Sequence, residues 1–304
     1  MKMLPELFYT INFSISISAA IIGLTIAFLI LITVICVRSC RTMPNLLICN
    51  TSVATILYYL LNLISIFYAL QNDWEHHQPG CVFRAYSYTV LCAALCYSYS
   101  IHAISRLFFT VFYTHKSLQT WFIHWMMIII SWSISILTPT IPLFFQHGYQ
   151  LEKESRICLP TVKIFPTAIC SVLIAFIIPL NIVASVYSII FFYAWKSTYR
   201  IRSLTSRVRN LMVPNHTRLL KVKREIKLMQ KILMLICLLL FGGTPYFILV
   251  LWHISLEKSP PEPFYLLSTN CIPIFISLKM ITLFCMCKQI KTNVLHYSSR
   301  LQRY

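Results

Sequence analysis

The sequence predicts an all-α fold: a bundle of seven membrane-spanning helices, amino terminus outside the cell and carboxyl terminus in the cytosol. Three observations lead there. Hydrophobic residues make up 58% of the 304 and charged residues only 11%, whereas a soluble domain runs near half apolar and roughly a quarter charged. Seven apolar stretches recur along the chain, most of them long enough to cross a hydrocarbon layer about 30 Å thick as helices. The basic residues cluster in alternate connections, which is the pattern of loops that face the cytosol.

Taken in order, the stretches are about Ile15–Val37, Leu46–Leu70, Cys81–Val111, Trp121–Phe145, Ile164–Trp195, Ile232–Ile254 and Phe264–Cys287. Inside hydrocarbon every backbone amide needs a partner within its own segment, so helices are favoured, and no alternating polar residues mark a barrel. The first stretch lacks a basic flank before it and a small-residue cleavage site after it, so it is expected to remain as a helix. The connection Lys196–Lys231 is basic, and its ends are expected to extend the fifth and sixth helices, the sixth reaching back to about residue 225. The tail, 288–304, is expected to open with a short amphipathic eighth helix. Residues 1–304 then form one membrane domain.

The net charge of +18 suggests nucleic acid only until the charges are placed. With Arg38, Arg41, Arg106, Lys116, Lys196–Lys231 and the tail inside, 19 of the 26 Lys and Arg are cytosolic, and Glu225 is the one cytosolic acid of eight. The charge thus specifies topology and attraction to anionic membrane lipid, worth about 1 kcal/mol per surface Lys or Arg. Nucleic acid is not an expected partner. No CxxC pair and no His, Asp or Glu cluster suggests a metal site or an acid/base pair, so neither an enzyme nor a cofactor is expected. A transporter or channel would show paired intramembrane charges or broken helices. It remains the alternative from another class.

Cys81 opens the third stretch and Arg106 closes it 25 residues later; Asn50 lies in the second stretch, Trp132 in the fourth, Pro179 and Tyr187 in the fifth, and Pro245 in the sixth. In this order the set resembles the rhodopsin-like G-protein-coupled receptors, over essentially the whole chain. The resemblance implies a plasma-membrane receptor that binds an extracellular ligand and signals through a heterotrimeric G protein by outward movement of the sixth helix. A disulfide from Cys81 to Cys158 is implied in the same way, two free thiols being the alternative. Arg106, Glu225 and Tyr187 would form the G-protein switch, Arg106 pairing with Glu225 at rest and meeting Tyr187 when freed. Pro179 and Pro245 would bend their helices.

The chain departs from the family at four places. Ser105 stands where an acid precedes the arginine, Thr55 where an aspartate holds sodium, and Gly243 where a tryptophan precedes the proline by two. The Asn-Pro-x-x-Tyr signature of the seventh helix is absent around Ser277–Leu283. A receptor that no longer couples is therefore a second alternative. Lys279, within that seventh helix, is expected to snorkel toward the cytosolic interface; the sharper reading puts its ammonium near Thr55 in place of sodium.

Arg84, Tyr88, Thr89 and Cys92 on the third helix are expected to face the ligand cavity, joined through the resemblance by Ser171, Tyr246, His253 and Ser268. The ligand itself, peptide or small molecule, is left open. Asn12-Phe13-Ser14 is a glycosylation acceptor on the expected outside.

Overall fold

The computed structural model describes residues 6–71, 78–162, 164–207, 215–255, 260–287 and 289–294. Among them, seven helical spans are long and apolar enough to cross a membrane. The first four are α1 (Glu6–Cys36), α2 (Met43–Leu70), α3 (Gln78–Thr110) and α4 (Trp121–Leu137). The fifth is α5 (Phe165–Val172), a π turn (Leu173–Ile177) and α6 (Ile178–Arg207) in succession. The sixth and seventh are α7 (Asn215–Ser255) and α8 (Glu262–Met286).

Prolines punctuate the helix starts: α2, α5 and α8 each carry one in the first turn, where the missing N–H has no intrahelical partner to lose. α1 starts about two turns before the apolar run that announces it. The polar residues there satisfy themselves on their own helix: Thr10 donates to Glu6 O, Asn12 to Phe8 O and Ser14 to Thr10 O. Such back-bonding lets a hydroxyl or amide sit where water is absent.

α3 is central, packing on α2, α4 and α6, while α8 closes the ring against α1 and α7. One core cluster gathers Phe13, Tyr58, Tyr59 and Leu266; a second, toward the other end, gathers Ile30, Ile48, Val186, Met280 and Ile290. α1 meets α2 closely because Gly23 has no side chain: a Cβ there would lie 2.3 Å from the Tyr59 ring. The outward faces carry Ile21, Ile32, Phe67, Phe122 and Phe191, all exposed, as a lipid-facing surface requires.

The all-helical expectation misses one feature. Between α4 and α5 lies an antiparallel hairpin, β1 (Tyr149–Glu152) with β2 (Ile157–Pro160), in the register Tyr149↔Pro160. Every residue of β2 is buried, and burial pushes the Tyr149 hydroxyl, which donates to Pro139 O, well above its ordinary range. The strands follow Gly148, where a Cβ would meet Pro142 O at 1.9 Å, so only glycine fits.

Arg156 ends the hairpin turn with φ 57°, a left-handed conformation that a side chain adopts at a cost. Its contacts hold it there. The guanidinium donates to both Glu6 carboxylate oxygens at 3.0 and 2.6 Å and lies 4.1 Å above the Tyr9 ring. The Glu6 hydrogen bond holds the Arg156 group above its usual range against a smaller opposing effect of burial. Tyr9 in turn donates to Glu154 O at 3.0 Å. The latch ties the hairpin to α1, but Glu6 is well exposed, so the gain is about 1 kcal/mol. Arg156→Ala is expected to speed amide exchange across residues 149–160 by roughly fivefold; unchanged exchange would remove the latch from the account.

Residues 289–294 are helical. Gln289 donates to Ser39 O at 2.6 Å and Asn293 to Cys40 Sγ at 3.1 Å, with Ile290 buried beneath. The rest of the tail, where the eighth helix was expected to continue, lies outside the described residues.

Candidate functional site

Two cavities lie along α3. The first, of about 120 Å³, sits beneath the hairpin and is almost wholly apolar. α3 lines it with Tyr88, Cys92 and Cys96, four positions apart on one helical face, and with Thr89 beside them. Ser171 and Phe176 come from the fifth span, Gly242, Gly243 and Tyr246 from α7, and Thr269, Phe275 and Lys279 from α8; Leu159 and Pro160 of β2 complete the wall.

Five of the eight expected ligand residues, Tyr88, Thr89, Cys92, Ser171 and Tyr246, are on this wall. The other three lie off this wall. Arg84 is engaged elsewhere, 4.1 Å above the Tyr68 ring with one nitrogen directed at Cys158 Sγ, 3.8 Å away. Ser268 is fully buried and donates to Tyr265 O at 2.9 Å; its neighbour Thr269, rotated about 100° around the helix, lines the cavity instead. His253, nearer the end of α7, is not among the lining residues, and its Nδ1 is buried without a hydrogen-bond partner among the described residues.

Cys81 and Cys158 are joined by a disulfide, which fixes β2 to the start of α3 over the cavity. Asn12, the expected glycan acceptor, lies within α1 and is 9% exposed, its amide donating to Phe8 O and accepting from Asn270 at 3.3 Å.

The space beside Gly243 is filled from another helix. A Cβ on Gly243 would lie 2.2 Å from the Phe176 ring, so Phe176 occupies the space that glycine vacates, and its ring faces Phe247 with centroids 6.5 Å apart. Phe176 belongs to the π turn, where Ile178 N donates to Leu173 O, five residues back. Pro179 lacks an N–H and its ring would strike the carbonyl of Ala175 in a regular helix; the wider turn relieves that clash. Pro179 O accepts from Ser100 Oγ at 3.2 Å. Pro245 is accommodated within α7, which continues through it.

Lys279 does not snorkel. It is 5% exposed and its Nζ lies 4.6 Å from the Tyr99 ring centroid, about 10 Å short of the end of α8 at 1.5 Å per residue. Nor does Thr55 contact it: that hydroxyl donates to Met280 Sδ at 3.5 Å. The helical register aims Lys279 at α3 and the floor of the cavity.

The second cavity, of about 390 Å³, opens at the opposite end of α3 and is lined by Tyr99, His102, Ser105, Arg106, Tyr187 and apolar residues of α7 and α8. Arg106 and Tyr187 thus share a wall, while the side chain of Glu225 lies outside the described residues. Ser105 turns away from the arginine. Its hydroxyl meets His124 Nε2 at 2.9 Å, and His124 Nδ1 meets Thr120 O at 2.9 Å. His102 pairs with Thr51 at 3.1 Å, and Trp132 donates to Asn50, which donates to Ser98. These bonds lock α2, α3 and α4 together; His124, fully buried, gave no signal in the sequence.

A family model described as 7 transmembrane receptor (rhodopsin family) matches residues 27–290. Among solved structures, squid rhodopsin superposes with a TM-score of 0.79 at 16% identity, over 99% of this chain and 88% of that one. No curated protein matches by sequence.

Proposed function

Because the chain belongs to the rhodopsin family of seven-transmembrane receptors, we propose that it binds an extracellular ligand beneath the hairpin and signals to a heterotrimeric G protein. It is a multi-pass protein of the plasma membrane in this reading, with the hairpin outside and Arg106 facing the cytosol. The basic loops support that orientation. The observation that carries the proposal is the pair of cavities along one helix, with Leu239 of α7 lining both. A ligand that moves α7 in the upper cavity necessarily alters the lower one.

The residues suggest how. Tyr246, Gly242 and Gly243 put α7 against the ligand space, and Pro245 supplies a weak point in that helix, since it cannot donate to the preceding turn. Outward movement of the cytosolic part of α7 would widen the pocket around Arg106. The arginine would then exchange a resting partner, Glu225, for Tyr187 and for the G protein. A ligand drives this only by binding the open state more tightly. With Thr55 in place of an aspartate, no sodium dependence is expected.

The test is G-protein subunit dissociation in cells, wild type against Arg106→Ala at matched surface level, under a mixed ligand panel. Wild-type activation that falls by ~tenfold or more in the variant, a loss of about 1.4 kcal/mol of coupling, is the expected result. Equal activation in both would contradict the assigned switch, and silence of a well-expressed wild type would favour a decoupled receptor.

A further inference from the structure

We propose that the cavity beneath the hairpin takes a small amphipathic anion, a monocarboxylate with a slender apolar body, whose carboxylate accepts from Lys279. The inference rests on the receptor reading for its purpose and on the cavity for its content. Lys279 is 5% exposed and lines the floor. Among the described residues its Nζ faces the Tyr99 ring, whose hydroxyl has no hydrogen-bond partner there, and the Cys92 and Cys96 thiols share the same wall. A ring face offsets only part of what an ammonium loses on leaving water.

Among the described residues no carboxylate lines the cavity. Its acids are Glu6, Asp73, Glu75, Glu152, Glu154, Glu225, Glu257 and Glu262, and within the seven spans only Glu6 and Glu262 occur, each at a span's first residue. Glu225 is 14 residues from Leu239, about 21 Å along the helix at 1.5 Å per residue. A negative group reaching Lys279 therefore comes with the ligand.

The rest of the wall describes the body of that ligand. Above Lys279 the cavity is bounded by Cys92, Phe176, Tyr246 and Phe275, and Tyr88 to Cys96 spans about 12 Å of α3. Such walls suit an aryl or short alkyl group. Among the described residues the lining includes no carboxylate for a cationic ligand.

The experiment is equilibrium binding to the purified full chain in lipid nanodiscs, without G protein, using tritiated 4-phenylbutyrate and octanoate. Competition with 4-phenylbutan-1-ol and 4-phenylbutylamine tests the head group. Saturable binding of at least one carboxylate is expected, with the alcohol and amine weaker by ~tenfold or more, as a charge-assisted bond implies. Lys279→Met should lose that preference while Lys279→Arg keeps part of it. The proposal is overturned if neither carboxylate saturates, if the alcohol competes equally, or if Lys279→Met binds as wild type does. Should Lys279→Met fail to fold, the head-group comparison on the wild type decides alone. Failure here beside intact Arg106-dependent signalling removes the ligand class and leaves the receptor; binding without signalling does the reverse.

Discussion

Gly243→Trp is expected to cripple the folded protein, and Phe176→Ala to restore much of it. In the native bundle a Cβ at position 243 already lies 2.2 Å from the Phe176 ring, so an indole there forces displacement of Phe176 or of α7. Overpacking of this kind costs about 1–3 kcal/mol, and Phe176→Ala alone leaves a hole that costs less than the ~3–5 kcal/mol of a fully buried ring, since Phe176 is only half-buried. Made together, the changes exchange one aromatic group for another at the same place between the fifth span and α7. The double variant should be more stable than the sum of the singles by at least ~1 kcal/mol, the signature of direct coupling. Thermal denaturation of the four proteins in detergent measures it. Strict additivity would mean that Phe176 does not hold the space beside Gly243.

Cys158→Ser is expected to do comparable damage at the other end of the site. The Cys81–Cys158 bond closes a loop with a sequence separation of 77. Loss of such a constraint costs about 2–5 kcal/mol in small domains, and the lower half of that range applies here because inserted spans stay confined in the membrane. β2, every residue of it buried, would lose its covalent tether to α3 and be held by the Arg156 latch, the Tyr149–Pro139 hydrogen bond and packing. Surface level should fall severalfold, with ligand binding lost from what remains. Cys81→Ser should match Cys158→Ser, and the double variant should be no worse than either. Any other ranking would mean that the cysteines act separately.

The seven spans were legible because hydrocarbon imposes a length and an apolarity that soluble proteins seldom show, and the cavity face of α3 was legible because residues 88, 89 and 92 obey helical periodicity. What escaped depends on packing between distant segments. Ser268 and Thr269 differ by one step around α8, and which of them meets the cavity is decided by how α8 rolls against α1 and α7. That Phe176 fills the space above Gly243 is a match of volumes between helices some 67 positions apart, which no local pattern records. The hairpin was hidden by its size, two strands of four residues in a segment too short to show alternation. Lys279 looked like a snorkelling residue because its distance from the helix end was legible and its direction was not.

The central claim, that movement of α7 widens the pocket around Arg106 for a G protein, is tested most directly by a distance. Probes carried on unnatural amino acids at Tyr113, just beyond α3, and at Met234 in α7, both exposed, would report separation by pulsed electron resonance in nanodiscs. Nucleotide-free G protein should shift the distribution to longer distances in the wild type and leave Arg106→Ala unmoved. A distribution that stays fixed across a panel of G proteins, in a chain shown to bind a ligand, would contradict the account.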